Sequence, residues 1–545
     1  NIMKKRMVAL FLAAMMLLSL VACSSQTEAE NSAPAASAES TEPPKAAETE
    51  APVGEVAEEK EPVTLTYYFM NGAGEQQYTT QVEEKLNEIL DGIEGYGYIS
   101  IDLVPCGQDY PTDFTLAQTS GAQIDLVSTY FLDMPTMVRN GDFLELSDLL
   151  AAYPNVTSEI PDWLVEMGKI FDGMYYVPTY QQAANLGFWI LPVEYAEMYR
   201  TASGATKEDM AETIAHGTLE EKLQLLEDIT LAVREGTGLD TKYIHSSTGV
   251  AYRYGNVEFI DKDYGMILLQ EGAEAPVYWS YSEEANTLRK QMNEWYKEGL
   301  IHPDAATYKL ADYERKNMMN KESLAIGFDQ AALGAEALAA RNSEAWGFEM
   351  EYYNNADHAY VPSKWAAGGN AIYADCEHPE EAMMIIELLM TKKGEEFYNT
   401  LVWGLEGIHW EWKDQEAKTI TTLEYDGFQG DAADSYHAWK WNIGNTFNAW
   451  ANQAVNVEDN NFILNEINNN PTTVPSPIAG ITWDLSSIED QIAQCTAVDS
   501  EYWFIYTMDN FEELNAEYMA KLEAAGVKDI IAEVTRQYND YLASK

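Results

Sequence analysis

The chain has 545 residues, with 89 acidic against 33 basic side chains, a formal net charge of −56 at pH 7, 14 tryptophans and four cysteines. Such an excess of negative charge repels polyanions, so no nucleic-acid partner is expected, and a chain this long needs at least two lobes because single cores stop growing near roughly 250 to 300 residues. Cys106, Cys376 and Cys495 stand far apart with no second Cys or His at metal-ligand spacing, so no metal site and no cofactor are expected; three buried thiols is the favoured reading, with one disulfide and a leftover thiol as the alternative.

At the N-terminus, Lys4, Lys5 and Arg6 precede an apolar run over residues 8–22 that closes on Leu20-Val21-Ala22-Cys23. The run is shorter than the roughly 20 residues of a spanning helix, so residues 1–22 read as a secretory signal. A small residue directly before a Cys resembles the bacterial lipoprotein lipobox, which implies cleavage there and a lipid anchor on Cys23. An ordinary signal that happens to contain a Cys, or an uncleaved anchor helix, are the alternatives. From Cys23 to residue 61 the chain is rich in Ser, Ala, Pro, Thr and Glu and has no aromatic residue, a composition that buries too little to order itself. It reads as an acidic, disordered tether over 23–61, kept extended by its charges. No later stretch has the length and apolarity of a spanning helix.

After Pro62, strand-like and helix-like segments alternate. Residues 63–70 are rich in β-branched and aromatic side chains; Asn71-Gly72-Ala73-Gly74 breaks them; Val82, Leu86, Ile89 and Leu90 then mark a helix over 77–93. A second strand is expected over 98–104, a helix near 111–119 and a third strand over 124–128 that ends at Thr129-Tyr130. Longer helices are expected over 219–235, 282–299, 379–401 and 510–543. Strands alternating with helices imply βαβ units and a mostly parallel sheet, and ligands of such sheets sit beyond the C-terminal ends of the strands. Asn71 and Tyr130, just past strand ends, are therefore candidate ligand residues. Asp329, with Gln330, ends the strand-like stretch 323–328 and is a candidate by the same rule.

Several segments carry a family resemblance. Asp172-Gly173-Met174-Tyr175-Tyr176-Val177-Pro178, Asn140-Gly141-Asp142-Phe143-Leu144-Glu145-Leu146 upstream, and Glu298-Gly299-Leu300-Ile301-His302-Pro303-Asp304 downstream resemble the family 1 type extracellular solute-binding proteins of carbohydrate ABC importers. Cys376-Glu377-His378-Pro379-Glu380-Glu381-Ala382, Trp403-Gly404-Leu405-Glu406-Gly407-Ile408-His409-Trp410 and Pro475-Ser476-Pro477-Ile478-Ala479-Gly480 narrow it to the large LplA-like lipoproteins with a C-terminal extension. Ile481-Thr482-Trp483-Asp484 departs from the aromatic-rich run expected there, which bears on substrate more than on fold. The resemblance implies an α/β, periplasmic-binding-protein-like fold of type II: two α/β lobes joined by hinge strands, with extra C-terminal helices. The first lobe is expected from 62–180 plus about 362–402, the second from 181–361 plus about 403–545. It further implies a monomeric protein on the extracytoplasmic face of the bacterial membrane that captures an oligosaccharide and hands it to the transmembrane subunits of an ABC permease.

Sugars present flat C–H faces and rims of hydroxyls, so their sites combine aromatic rings with carboxylates and amides. Seven of the 14 tryptophans fall between Trp365 and Trp450. Trp365, in a segment that resembles a return crossing between lobes, Trp403 and Trp441, with Asn442, are the candidate platforms. Glu406, between Gly404 and Gly407 and near His409, is a candidate hydroxyl acceptor, and Tyr180 and Gln181 stand at the first crossing. A nucleophile elbow, a phosphate-binding loop and a His-Glu-x-x-His motif are all missing, so no enzyme is expected. A secreted glycoside hydrolase stays open as an alternative because paired carboxylates leave no local motif; a surface glycan-binding or adhesion module is the other.

Overall fold

The strand Val63–Gly72 (β1) sends its side chains to two buried faces: Leu65, Tyr67 and Phe69 enter one core, Tyr68 and Met70 another. A strand buried on both sides belongs inside a sheet covered on each face. In the computed structural model, which describes residues 60–184, 186–244, 257–260, 266–307, 343, 347–361, 368–423, 435–452, 463–479 and 481–544, β1 takes that position. Helix α1 (Thr79–Gly92) follows and buries Val82, Leu86, Ile89 and Leu90 along one face, the spacing a helical turn dictates. Strand β2 (Ile99–Gly107) pairs in parallel with β1. Helix α2 (Tyr110–Ser120) has Pro111 in its first turn and stops at Gly121, whose left-handed φ of 70° suits a helix end. Strand β3 (Leu126–Ser128) joins β1 in parallel from the other side. Two late strands complete the sheet: β4 (Val177–Pro178) and β5 (Gly369–Ile372), the latter antiparallel to both β3 and β4.

A second core lies around the antiparallel pair Phe188–Pro192 and Met350–Asn354. Helices Val193–Ser203, Lys207–His216, Leu219–Thr237 and Glu283–Lys297 bring Tyr195, Ile214, Ile229 and Trp295 to it. Two of them open on reciprocal capping boxes, Thr206 with Asp209 and Thr218 with Glu221, which satisfy backbone N–H groups that a helix start leaves open. A third core joins Ile267, Leu269 and Tyr278 to the C-terminal helices Glu489–Tyr502, Phe511–Ala524 and Val527–Ser544 through Cys495, Leu522, Ile530 and Val534. The buried Asp499 carboxylate ties it further, accepting from Tyr278 Oη at 2.6 Å and Tyr518 Oη at 2.5 Å.

The helix expected over 379–401 is two, α3 (Pro379–Met390) and α4 (Glu395–Trp403). They part at Gly394, where a Cβ would stand 2.1 Å from the Leu388 carbonyl oxygen. The helix expected over 510–543 likewise breaks at Gly526, whose φ is +95°. Cys106, Cys376 and Cys495 are buried free thiols. Among the described residues no helix is long and apolar enough to cross a membrane, and no group of three His, Cys, Asp or Glu side chains is placed to hold a metal ion.

The chain passes between the first core and the other two at three places. It leaves the first core after Ala184 and enters the second by Trp189; it returns between Tyr353 and Ala359; and it leaves again between Ile467 and Ile478 for the third. These connections run side by side. Asn468 Oδ1 accepts from the Ala183 and Ala184 N–H groups, Asn355 N–H donates to the Gly187 carbonyl at 3.0 Å, and Tyr360-Val361 pairs in parallel with Val474-Pro475. Residues Tyr436, Ala438, Ile443 and Ala449 pack in the first core. The molecule is thus a two-lobed α/β fold, the second lobe extended by C-terminal helices.

Candidate functional site

Strands β1, β2 and β3 run parallel, so their C-terminal ends, at Gly72, Gly107 and Ser128, meet on one edge of the first lobe. The loop after residue 438 lies across that edge because the core fastens it there. Asn442 Nδ2 donates to the Met70 carbonyl at 3.0 Å, Ser128 Oγ donates to the Asn442 carbonyl at 3.0 Å, and Asn370 Nδ2 donates to the Ile443 carbonyl at 2.5 Å. Asn370 is itself held by Tyr67 Oη at 2.7 Å. These buried donors are each paired with a buried carbonyl or amide oxygen, which fixes the loop, although Asn442 Oδ1 itself has no partner among the described residues.

That loop presents Trp439 and Trp441, whose rings stack with centroids 5.3 Å apart and planes 19° apart. Trp441 meets Tyr130 edge-on at 4.6 Å and Phe131 at 6.1 Å. Trp439 lies so close to the end of β1 that a Cβ at Gly72 would stand 2.6 Å from its ring, and Gly72 also has a φ of +81°. On one side Gln108 Nε2 donates to the Gly72 carbonyl at 3.3 Å, and on the other Gln181 Nε2 donates to Tyr130 Oη at 3.4 Å. Phe131 is 48% exposed and holds a φ of 72°. An aromatic residue in the left-handed region is strained, and surroundings that keep such strain mark a site whose geometry matters. The result is a wall of four aromatic rings with amides at its rim. All its members are uncharged, so the wall can stack on a flat C–H face and exchange hydrogen bonds with hydroxyls, and it offers no acid and base pair.

Of the candidates read from sequence, the structure brings Tyr130, Gln181 and Trp441 together in this wall. Asn71 is beside it but spends its side chain on the turn: Oδ1 accepts from the Ala73 and Gly74 N–H groups, and Nδ2 donates to Gly74 O and Gln76 Oε1. Tyr180 is 4% exposed, packed in the first core and against Phe447 at 4.9 Å. Trp403, at the end of α4, is half-buried, with Lys440 Nζ 5.9 Å from its ring. Glu406 is exposed in a turn where Gly404 and Gly407 each have a φ of 76°. Its neighbour His409 is pinned by the Leu405 N–H, which donates to Nδ1 at 2.8 Å; burial pushes the imidazole down to about 4. Asp329, Trp365 and Cys23 lie outside the described residues. Sequence reasoning missed Phe131 and Trp439. The signals were their spacing, one residue past Tyr130 and two before Trp441.

Residues 477–543 match the family described as Domain of unknown function (DUF3502). No curated protein sequence matches the chain. Among solved structures, the N-glycan transport solute binding protein NgtS from Streptococcus pneumoniae is similar with a TM-score of 0.66 at 17% identity, over 89% of this chain and 99% of that one. NgtS in complex with Man5GlcNAc gives 0.57 at 17% identity over the same shares. The S. pneumoniae ABC-transporter substrate binding protein FusA in complex with kestose gives 0.54 at 15% identity, over 88% of this chain and 100% of that one. The chain has the two-lobed α/β fold of the solute-binding proteins of ABC transporters.

Proposed function

We propose that the protein is a solute-binding protein that captures an oligosaccharide outside the cell and delivers it to the permease of an ABC importer. The observation that carries this reading is the uncharged aromatic wall at the C-terminal edge of the first lobe, where parallel sheets bind ligands and where stacked indoles fit the apolar faces of sugar rings. The fold supports it, since NgtS and FusA are named with Man5GlcNAc and kestose respectively. Binding without catalysis is the better reading of a wall that, among the described residues, holds no carboxylate pair of the kind glycosidases need.

In this reading the lobes close on the sugar about the three side-by-side connections near residues 184–188, 354–358 and 468–477. A lipid on Cys23 and a tether over residues 23–61 would keep a monomeric receptor beside its permease, with the first lobe built from 62–184 and later returning segments and the second entered by Trp189. Titration calorimetry against a panel of neutral and acidic plant and host glycans tests the reading, with chromatography of the same mixtures for products. Saturable one-to-one binding with intact glycan is expected; turnover, or no binding by any member, contradicts it.

A further inference from the structure

Lys440 sits in sequence between the two stacked tryptophans, yet it takes no part in their stack. Its side chain turns to Trp403, with Nζ 5.9 Å from the ring centre. Its backbone is fixed, because the carbonyl accepts from Tyr398 Oη at 2.7 Å and from Thr446 Oγ1 at 3.3 Å. In a chain with 89 acidic side chains, no carboxylate of the described residues lies within ion-pairing distance of this ammonium. Lys85, Lys169, Lys393, Lys418, Lys521 and Lys528 each have one. Burial pushes the Lys440 ammonium down, the direction a cation takes when it loses water without gaining a counter-ion.

The surroundings of Lys440 are short of partners too. Tyr436 Oη donates to the Leu401 carbonyl at 2.8 Å and Ala438 N–H to the Val402 carbonyl at 3.3 Å, so this stretch runs along the end of α4, where Trp403 stands. Among the described residues, Trp403 Nε1 is buried there without a hydrogen-bond partner; Ser435 Oγ and His437 Nδ1, earlier in the same stretch, also lack one. Buried polar groups in native proteins are normally paired, and an unpaired indole N–H beside an ammonium with no counter-ion asks for an occupant. The indole N–H and the ammonium are both donors, so the missing partner is an acceptor carrying negative charge.

We propose that Lys440 reads charge for the sugar site, taking the carboxylate of an acidic sugar with help from the Trp403 indole N–H, so that the preferred ligand is an oligosaccharide containing a uronic or sialic acid. This rests on the oligosaccharide reading above. The acidity of the whole chain does not oppose it at contact range, because exposed charges are screened beyond about 8 Å at physiological ionic strength, whereas a desolvated ammonium and carboxylate form one of the stronger hydrogen-bonded pairs.

Calorimetry on matched probes decides it: tetragalacturonate and its methyl ester, and lacto-N-tetraose without a cap, with a sialic acid cap, and with a sulfate ester. Within at least one pair the carboxylate form should bind at least tenfold tighter than its neutral partner. Lys440→Met should bring that ratio to about one, Lys440→Arg should keep most of it, and Trp403→Phe, which removes the N–H and keeps a ring, should lower it by a smaller factor. Equal preference for the sulfate ester would assign Lys440 to anionic groups at large and keep its role; no gain from sulfate would assign it to carboxylates. Equal affinity for charged and neutral partners, or a preference that survives in a folded Lys440→Met, overturns the assignment while leaving oligosaccharide binding in place. If Lys440→Met does not fold, the Arg and Phe variants carry the same comparison. No binding by any probe overturns both.

Discussion

A Cβ built on Gly368 would stand 1.8 Å from Tyr130 Cδ2, well inside any allowed contact, so the ring keeps its place against Trp441 because residue 368 has no side chain. Gly368→Ala should destabilise by about 1–3 kcal/mol, the range for overpacking a close-packed site, or displace Tyr130 and weaken glycan binding; thermal melts with calorimetry would read either, and a variant unchanged in both contradicts the packing. Trp441→Ala removes the ring that touches Tyr130, Phe131 and Trp439 together. It should cost at least tenfold in affinity, about 1.4 kcal/mol, with the fold kept; full affinity would take Trp441 out of the site. Burial holds His409 at about 4, against an ordinary value of 6.5. The unfolded chain takes up that proton first, so the contribution of His409 to stability is complete above about 6.5 and is lost as pH falls toward about 4. His409→Gln retains an acceptor for the Leu405 N–H and should flatten the melting temperature against pH in that window; an unchanged slope would contradict this. At this scale the sequence was a partial guide. Strand ends, the first crossing and tryptophan clustering pointed to Tyr130, Gln181 and Trp441, which the fold brings into one wall, whereas nothing local distinguishes them from Asn71, whose amide shapes its own turn, or Tyr180, whose ring faces the core.

Elements were more legible where their cause is local. The positions of β1, α1, β2, α2 and β3 follow from apolar spacing and from turn residues such as Gly72 and Gly121. Strand β5 was not readable that way. Its place beside β3 is set by pairing across 240 residues, with Thr129 Oγ1 accepting from the Gly369 N–H at 2.9 Å, and no window of sequence contains both partners. The split between α3 and α4 has the same origin, because Gly394 is required by a backbone contact with Leu388 rather than by propensity. The C-terminal helices test whether the third core is an integral part of the fold. Ile530 is fully buried among Cys495, Leu522 and Val534, so Ile530→Ala should cost about 2–5 kcal/mol in denaturant unfolding. A loss below about 0.5 kcal/mol, the scale of surface substitutions, would mean that this core contributes little to global stability.

For the whole molecule, the decisive feature is that the chain crosses between lobes three times and that the crossings are tied to one another by Asn468, Asn355 and the pairing of Tyr360-Val361 with Val474-Pro475. A single linker would leave the lobes loosely tethered, whereas several parallel crossings restrict them to bending about one axis. The aromatic wall stands on the first lobe close to the first of these crossings, through Gln181 and Tyr130. A sugar stacked there would be within reach of the second lobe on closure, and its burial would favour the closed form by its differential affinity for the two states. The central claim is therefore a two-lobed receptor that closes on its glycan, and small-angle scattering of the protein with and without the tightest glycan found by calorimetry tests it most directly. A smaller radius of gyration is expected at saturation; the same radius with a saturating, tightly bound glycan would rule out closure.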